Sequence, residues 1–581
     1  EIEPKYLTPA ISALTQSRER NLESSAFLDG LIAFYRGDYD AAIEYANAAL
    51  KDAPWLYEAH KLVGDVHLQR ALRAYDRKQL EESIREFSLA TKYYDAAIEI
   101  GPSDTALYEG LAEIGIRLGY TLFDSGKTTE TSYRQAMAAS QKLLITDPGS
   151  IVAPLKKAFA AVTALSALPS GEPPGEYHQQ CLADATTVLQ REPGNPYASD
   201  LAANCLAMSA SDARSHGKDP SQQLRRAISM MEPVLQTHPH FLWGLQDIGL
   251  SYRDLGLWLH AHGSSEAKTA LNSSLSYFLK TADVDKSYAP AYGWALDVQS
   301  KLVLLTESLA EQKALLSQAD EAYAQCVKLI GEHITCDGNR LVLYARAAWR
   351  TQLAGEDPSP LLKKTAESTA VLRKLKIDYS ETEQSIVLAR LVDAVYKVRK
   401  SEDAESALAA VDDAIAQCLR VTAQDPLCLS YSARKEWLVA ESAESAKKRI
   451  GILSRAAKIA EQAAKGTDPQ AESFQTLAET DLQLAQAAKP GSKDARKFID
   501  AGLSALHKLS GFNPKYPLGL LTQAMLLRLR AASDKDESVQ RREREQAVSV
   551  LQMVRRLDPL LLHELKRMET AGAESGVSPD G

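Results

Sequence analysis

Apolar residues between Ala26 and Pro54 recur with helical spacing: Phe27, Leu31, Phe34 and Tyr35 share one stripe, and Ala42, Ile43, Ala46, Ala49 and Leu50 share another. A 3.6-residue period predicts two amphipathic helices. Gly37-Asp38 predicts the turn between them, and Pro54 ends the second. The small residues Gly30 and Ala42 let the pair approach closely. The terminating proline then recurs. Pro54, Pro102, Pro148, Pro193 and Pro239 are spaced by 48, 46, 45 and 46 residues, and Pro426, Pro469, Pro514 and Pro559 by 43, 45 and 45. Four of them follow an aspartate: Asp147, Asp425, Asp468 and Asp558. The 187 residues from Pro239 to Pro426 hold four such periods, which places boundaries without proline at Lys286, Ile334 and Asp378. Twelve residues before the boundaries stand Ala42, Ala90, Ala136, Cys181, Ala227, Ser274, Ala322, Ala366, Ala414, Ala457, Gly502 and Ala547, all small. Ten residues after them stand Gly64, Ala112, Ala158, Ala203, Gly249 and Ala524, a pattern that fades in the middle of the chain.

Repetition on this scale marks stacked helical hairpins. Gly30, Gly37, Tyr39, Ala42, Ala49 and Pro54 fall at the small, turn and proline positions of a tetratricopeptide (TPR) hairpin, which the segment resembles. The expected fold is all-α: a right-handed α-solenoid of about twelve TPR-like hairpins with a period near 46 residues, so boundaries fall near 54, 102, 148, 193, 239, 286, 334, 378, 426, 469, 514 and 559. A standard unit has about 34 residues, so both helices lengthen to roughly 18–20 residues, near 30 Å. Turns within the pairs are expected at Asp124–Lys127, Pro169–Gly175 (the longest, a protrusion), His216–Pro220, Gly355–Pro360 and Lys489–Lys493. No linker divides residues 1–571, which read as a single array. A capping helix is expected at 560–571, with Glu564, Lys566 and Arg567 on a solvated face, followed by a disordered tail at 572–581.

Composition narrows the function. Among 581 residues, 67 Lys and Arg against 76 Asp and Glu leave a net charge of −9, and 45% hydrophobic with 25% charged residues exclude wholesale disorder. Mild acidity argues against a nucleic-acid coat. The longest uncharged apolar stretch, Ala158–Leu168, is eleven residues and too short to span a bilayer. Glu1–Tyr6 shows no signal peptide and no initiator Met, which reads as a processed chain or a piece of a longer one. A cytoplasmic location is expected, with the extracytoplasmic part of a membrane-anchored protein as the alternative.

Candidate chemistry is sparse. Gly126-Lys127-Thr128 resembles the end of a phosphate loop, but Thr121 stands where the first glycine belongs, and a turn is the simpler reading. His238, His240, His260 and His262 flank one helix at opposite ends, too far apart for one metal ion. Cys181 fills a small-residue slot. Cys326/Cys336 and Cys418/Cys428 share a ten-residue spacing and are either an echo of duplication or two bridges. Without an export signal, free thiols are expected. No Gly-x-Ser-x-Gly, kinase or dinucleotide motif occurs, so no catalytic residue, cofactor or metal is assigned, and the chain reads as a non-enzyme. Basic runs at Arg373–Lys376, Lys397–Lys400 and Arg541–Arg556 have acidic neighbours and read as solvated helix faces. The six Trp and 23 Tyr read as inter-helix packing.

The TPR resemblance implies a concave groove lined by the first helix of each pair, which binds extended peptides or partner helices. By register its lining includes Lys61, Asp65, Asn204, Gln246 and Arg253, with Val152, Leu155 and Phe159 forming either an apolar anchor pocket or a closed stretch. The segments Ala26–Asp40, Ala53–Val66 and Ala97–Asp104 resemble the repeat region of large bacterial serine/threonine protein kinases of the myxobacterial type. That resemblance implies an N-terminal kinase domain, often a membrane segment, and a TPR tail for docking or sensing. The kinase lobes are absent here, so no kinase activity is carried over. The expected role is a protein-binding scaffold or sensory module with a protein or peptide partner, no nucleic acid and no membrane insertion. A ligand-binding protein or enzyme with a site inside the superhelix, or an adaptor of an ATP-driven or secretion machine, are the alternatives.

Overall fold

The computed structural model describes all residues except 1–2, 20–23, 169–174, 401, 403, 467–469, 562, 565 and 567–581. The expected protrusion, the boundary at Pro469 with Asp468, most of the capping helix and the whole tail lie outside the described residues. Among the described residues the chain is helical without a strand. It divides into two compact units, Glu1–Asp247 and Ile248–Gly581.

The first unit opens with α1 (Thr8–Glu19) and continues as antiparallel pairs. These are α2 and α3 (Ser25–Tyr35, Tyr39–Asp52), α4 and α5 (Tyr57–Asp76, Leu80–Ile100), and α6 and α7 (Thr105–Asp124, Glu130–Thr146). Then follow α8 and α9 (Val152–Ser166, Gly175–Arg191) and α10 and α11 (Pro196–Ser215, Ser221–Thr237). The division falls within α12 (Leu242–Ala261). The second unit continues with α13 (Ala267–Val284), α14 and α15 (Ala289–Leu302, Leu309–Ile330), and α16 and α17 (Asn339–Leu353, Ser359–Lys374). It ends with α18 and α19 (Ser380–Arg399, Ala404–Val421), α20 and α21 (Pro426–Glu441, Ala446–Lys465), α22 and α23 (Ala471–Ala487, Lys493–Phe512), and α24 and α25 (Pro517–Ser533, Glu537–Leu557).

Local chemistry sets the helix ends. The Asp38 carboxylate accepts from the Ala41 N–H, Asp104 caps Ala106, and Asn195 caps Ala198, each just before a helix. Gly37, with φ of 77°, takes the left-handed turn between α2 and α3 that a side chain would strain. Small residues do the packing. Ala42, Ala90, Ala136 and Cys181 are fully buried, and a Cβ on Gly64 would stand 2.6 Å from the Tyr94 ring. One register is corrected in the middle of the chain: Ala366 is exposed, and Ser368 is the buried small residue of α17. The boundary turn there has no proline to fix the count.

The cysteine reading is also corrected. All six cysteines are paired, as Cys181–Cys205, Cys326–Cys336 and Cys418–Cys428, with Cα atoms 6.1, 5.8 and 6.3 Å apart. Each bond ties the second helix of a pair to the start of the next pair or its first helix. The shared ten-residue spacing therefore is two bridges across boundary turns.

The end of the chain is corrected too. Asp558, Leu561 and Glu564 are buried, whereas Glu564 was expected on a solvated face. The Arg350 guanidinium on α16 binds the Asp558 carboxylate, with Nη2 2.8 Å from Oδ1, and Nη2 also donates to the Thr306 carbonyl at 2.8 Å. Arg399 on α18 lies 4.0 Å from Glu564. The second unit also comes round on itself, since Asn513 donates to the His260 carbonyl at 3.2 Å across 253 residues of sequence.

Candidate functional site

The first helices of the pairs carry the polar rows. In the first unit, the Lys61 ammonium donates to Asp65 at 2.8 Å one helical turn away, and the Tyr94 hydroxyl of α5 donates to the other Asp65 oxygen. Burial, then the Asp65 charge, pushes the Tyr94 hydroxyl far above its ordinary range, so it stays a donor. On α6, Glu113 takes Arg117 at 2.6 Å and Lys156 of α8 at 2.5 Å. Burial pushes Glu113 up, but the two cations outweigh it and hold the carboxyl below its usual range. On α10, Asn204 donates to Asp247 at 2.5 Å. Asp200 and Asp247 form a hydrogen-bonded carboxyl pair, both pushed up by burial first and Asp200 further by the Asp247 charge. Gln246 also bonds Asp247.

Val152, Leu155 and Phe159 pack against neighbouring helices. All three are half-buried: Val152 packs by Tyr108 and Leu143, Leu155 by the Ala158–Cys205 core, and Phe159 edge-on to Tyr120 at 6.3 Å.

The second unit carries a longer row that sequence reading missed except at its first member. Arg253 pairs with Asp254 at 2.9 Å and faces Asp297 of α14 at 3.8 Å. Asp297 meets Lys301 at 3.3 Å, Lys301 meets Glu381 of α18 at 2.7 Å, and Glu381 meets Arg346 of α16 at 3.2 Å. Burial raises Glu381, yet Lys301 and Arg346 hold it below the usual carboxyl range. The row continues inward: Arg434 of α20 donates to Gln475 at 2.7 Å and pairs with Glu472 at 2.9 Å, and Gln475 donates to Glu479 at 2.6 Å. Five first helices, α16, α18, α20, α22 and α24, thus line one hollow of about 110 Å³, with Trp349 and Trp437 on its wall. The buried Oε1 of Gln483 in that wall accepts no hydrogen bond among the described residues. A helical step of four residues, Gln475 to Glu479 to Gln483, is a signal that could have pointed to this face.

The other motifs resolve simply. Lys127 of the Gly126 turn binds Glu81 at 2.7 Å. Arg373 takes Asp378 at 2.9 Å, Lys397 takes Asp393 at 3.0 Å, and Arg541 takes Glu545 at 3.0 Å, as mixed-sign helix faces do. The packing reading of tryptophan is corrected at two sites, since Trp55 is 71% and Trp243 is 51% exposed at the starts of first helices. Cys418, Asp425 and Cys428 have the composition of a metal centre, but the two sulfurs bond each other and Asp425 accepts from the Leu427 and Cys428 N–H groups. Among the described residues no helix is long and apolar enough to cross a membrane.

No family model and no curated protein matches the chain. Among solved structures it is similar to yeast Tom70, with 10% identity over 88% of this chain and 96% of that one at a TM-score of 0.38. Cut9–Hcn1 of the APC/C shares 13% identity over 97% of this chain and 99% of that one at 0.33. The human IFIT1 dimer with PPP-AAAA shares 15% over 78% and 94% at 0.27. Scores of this size leave the chain's fold and function to rest on its own geometry.

Proposed function

We propose that the chain is a non-catalytic scaffold that binds an extended segment of a partner protein along its first helices, with the hollow of the second unit as the main contact. The carrying observation is the convergence of five first helices on one wall of two indoles, two arginines and three residues at four-residue spacing. Amide and guanidinium groups at helical spacing suit backbone N–H and C=O groups of an extended chain, and indoles suit its apolar side chains. A photo-reactive phenylalanine analogue placed at Gln483 should cross-link the partner. Gln475→Ala with Gln483→Ala should weaken that partner about tenfold, the cost of about one to two hydrogen bonds. Equal capture by the double variant would sink the reading. Lys61→Ala and Arg253→Glu test the polar rows of the two units in the same assay.

The likeness to kinase repeat tails supports a place in serine/threonine kinase signalling. A coding stretch for kinase lobes running directly into the codon for Glu1 tests that. Pairing of all six cysteines supports work in an oxidising compartment, the extracytoplasmic alternative.

A further inference from the structure

A second, larger hollow of about 410 Å³ lies where the second unit comes round on itself. Its wall is built by the turn after α12, residues Leu304–Glu307, the inner face of α16, the turn before α24 and the end of α25. The volume falls in the range of pockets for small organic molecules. Trp349 and Tyr516 supply flat aromatic surface, and Leu304, Leu305, Leu353 and Leu518 supply aliphatic surface.

The charges on this wall do not cancel. Three carboxylates line it, and each meets a cation: Glu307 shares Lys268 with Glu311 at 3.0 and 2.8 Å, Asp558 meets Arg350, and Glu472 meets Arg434 at 2.9 Å and the Tyr516 hydroxyl at 3.2 Å. Two further cations, Lys515 and Arg556, line the same hollow and make no ion pair among the described residues. Both are exposed, so they stand where the hollow opens to water. His260 adds no charge of its own, because burial and then the Arg346 charge push its pKa down. An aromatic and aliphatic chamber with two spare cations at its mouth selects against cations and for anions, and each spare cation offers a charge-assisted hydrogen bond.

We infer that this hollow is a binding site for one small amphipathic organic anion, its flat apolar body against Trp349 and Tyr516 and its carboxylate, sulfonate or phosphate between Lys515 and Arg556. The site is distinct from the scaffold hollow, although Trp349, Leu353 and Leu518 belong to both walls, so an occupant here touches the floor of the protein-binding face.

The test uses the full chain and two fluorescent probes of nearly equal size, anionic 1-anilinonaphthalene-8-sulfonate and neutral N-phenyl-1-naphthylamine. The anionic probe is expected to bind at one saturable site per chain and to quench Trp349. Lys515→Glu with Arg556→Glu should weaken it about tenfold or more and change the neutral probe less than about twofold, since only the ionic contacts are lost. Leu305→Trp should exclude both probes by filling the chamber. The two charge reversals sit on exposed side chains, and the single variants Lys515→Gln and Arg556→Gln, each expected at about threefold, serve should the double variant misfold. Binding of the anionic probe that is unchanged in the charge variants, or no saturable site in the native chain, would overturn the inference.

Discussion

In the first unit Gly64 sits against the Tyr94 ring, and that close approach lets the Tyr94 hydroxyl reach Asp65 beside Lys61. Its polar contacts join side chains within one pair or between adjacent pairs, as Glu113 joins Arg117 and Lys156. The second unit keeps buried small residues at Ser274, Ala322, Ala414 and Ala547 but not at Ala366, and its contacts span far more sequence: Asn513 to His260, and Arg350 to Asp558 across 208 residues. Two of the three disulfides are there as well. Close packing at glycine serves both units, as Gly502 against Leu526 shows, and the second unit adds ties between residues far apart in sequence.

The largest contrast should come from the ion pairs. Arg350 is 3% exposed, so Arg350→Ala leaves Asp558 buried and uncompensated, a loss of about 3–5 kcal/mol. Glu113→Ala, which breaks half-exposed pairs in the first unit, should cost about 1 kcal/mol or less. Urea unfolding of both variants measures the difference. Equal losses would mean that the end of the chain contributes nothing to the second unit.

Disulfide loss comes next. Each bond closes a loop of ten to twenty-four residues, for which about 2–3 kcal/mol is expected. Reduction should therefore weaken the second unit, with two short loops, about one and a half times as much as the first, with one longer loop, as hydrogen exchange resolved along the chain would report. Thiol titration of the denatured, unreduced chain should find no free thiol, and six would remove this difference between the units.

Much of the first unit could be read directly from its residues. Proline and a small residue recur at each junction there, because both meet steric demands that few residue types satisfy. The middle of the chain lost its proline, so counting alone set its register, and Ala366 came out two residues from Ser368. The cysteine pairs were visible as a spacing, but whether they bond depends on which helices meet. The repeat register offered Lys61 and Asp65 as groove candidates, and the two pair with each other one turn apart on α4. Arg434, Glu381 and the Arg350–Asp558 pair did not, because their partners lie on other helices and no local pattern encodes the meeting.

Packing at glycine gives a smaller effect. Gly64→Ala places a methyl 2.6 Å from Tyr94 Cδ2, so the ring must shift and the Tyr94–Asp65 bond with it, at a cost of about 1–3 kcal/mol. Gly451, with nothing within 4 Å of an added Cβ on helix α21 of the second unit, should instead gain up to about 1 kcal/mol from the same change. Thermal melting of the two variants in opposite directions would confirm that close approach, and not glycine as such, is what α4 needs.

The smallest expected effect is a pH dependence of opposite sign at two carboxyl sites, one in each unit. Asp247 is pushed up to about 6, first by burial, while Asn204, Asp200 and Gln246 pull it back, and Asp200 is pushed up alongside it. The unfolded chain releases these protons near pH 4. The folded pair therefore holds protons that the unfolded chain has lost, and its contribution to stability is full below about pH 4 and falls as the pH rises through 6. Asp247→Asn keeps an amide in the pair without the charge. It should raise the first unit's melting temperature by about 2–4 °C at pH 7, the change expected for about 1 kcal/mol, and by almost nothing at pH 4. The counterpart in the second unit, Glu381, is held below its usual range by Lys301 and Arg346 and has the opposite sign, contributing above the ordinary carboxyl pKa and losing that contribution on acidification. Glu381→Gln should thus lower stability at pH 7 and converge with the native chain at low pH. Parallel pH profiles for the two variants would show that the buried carboxyl pair and the ion-paired row respond alike, and the electrostatic difference between these two sites would be lost.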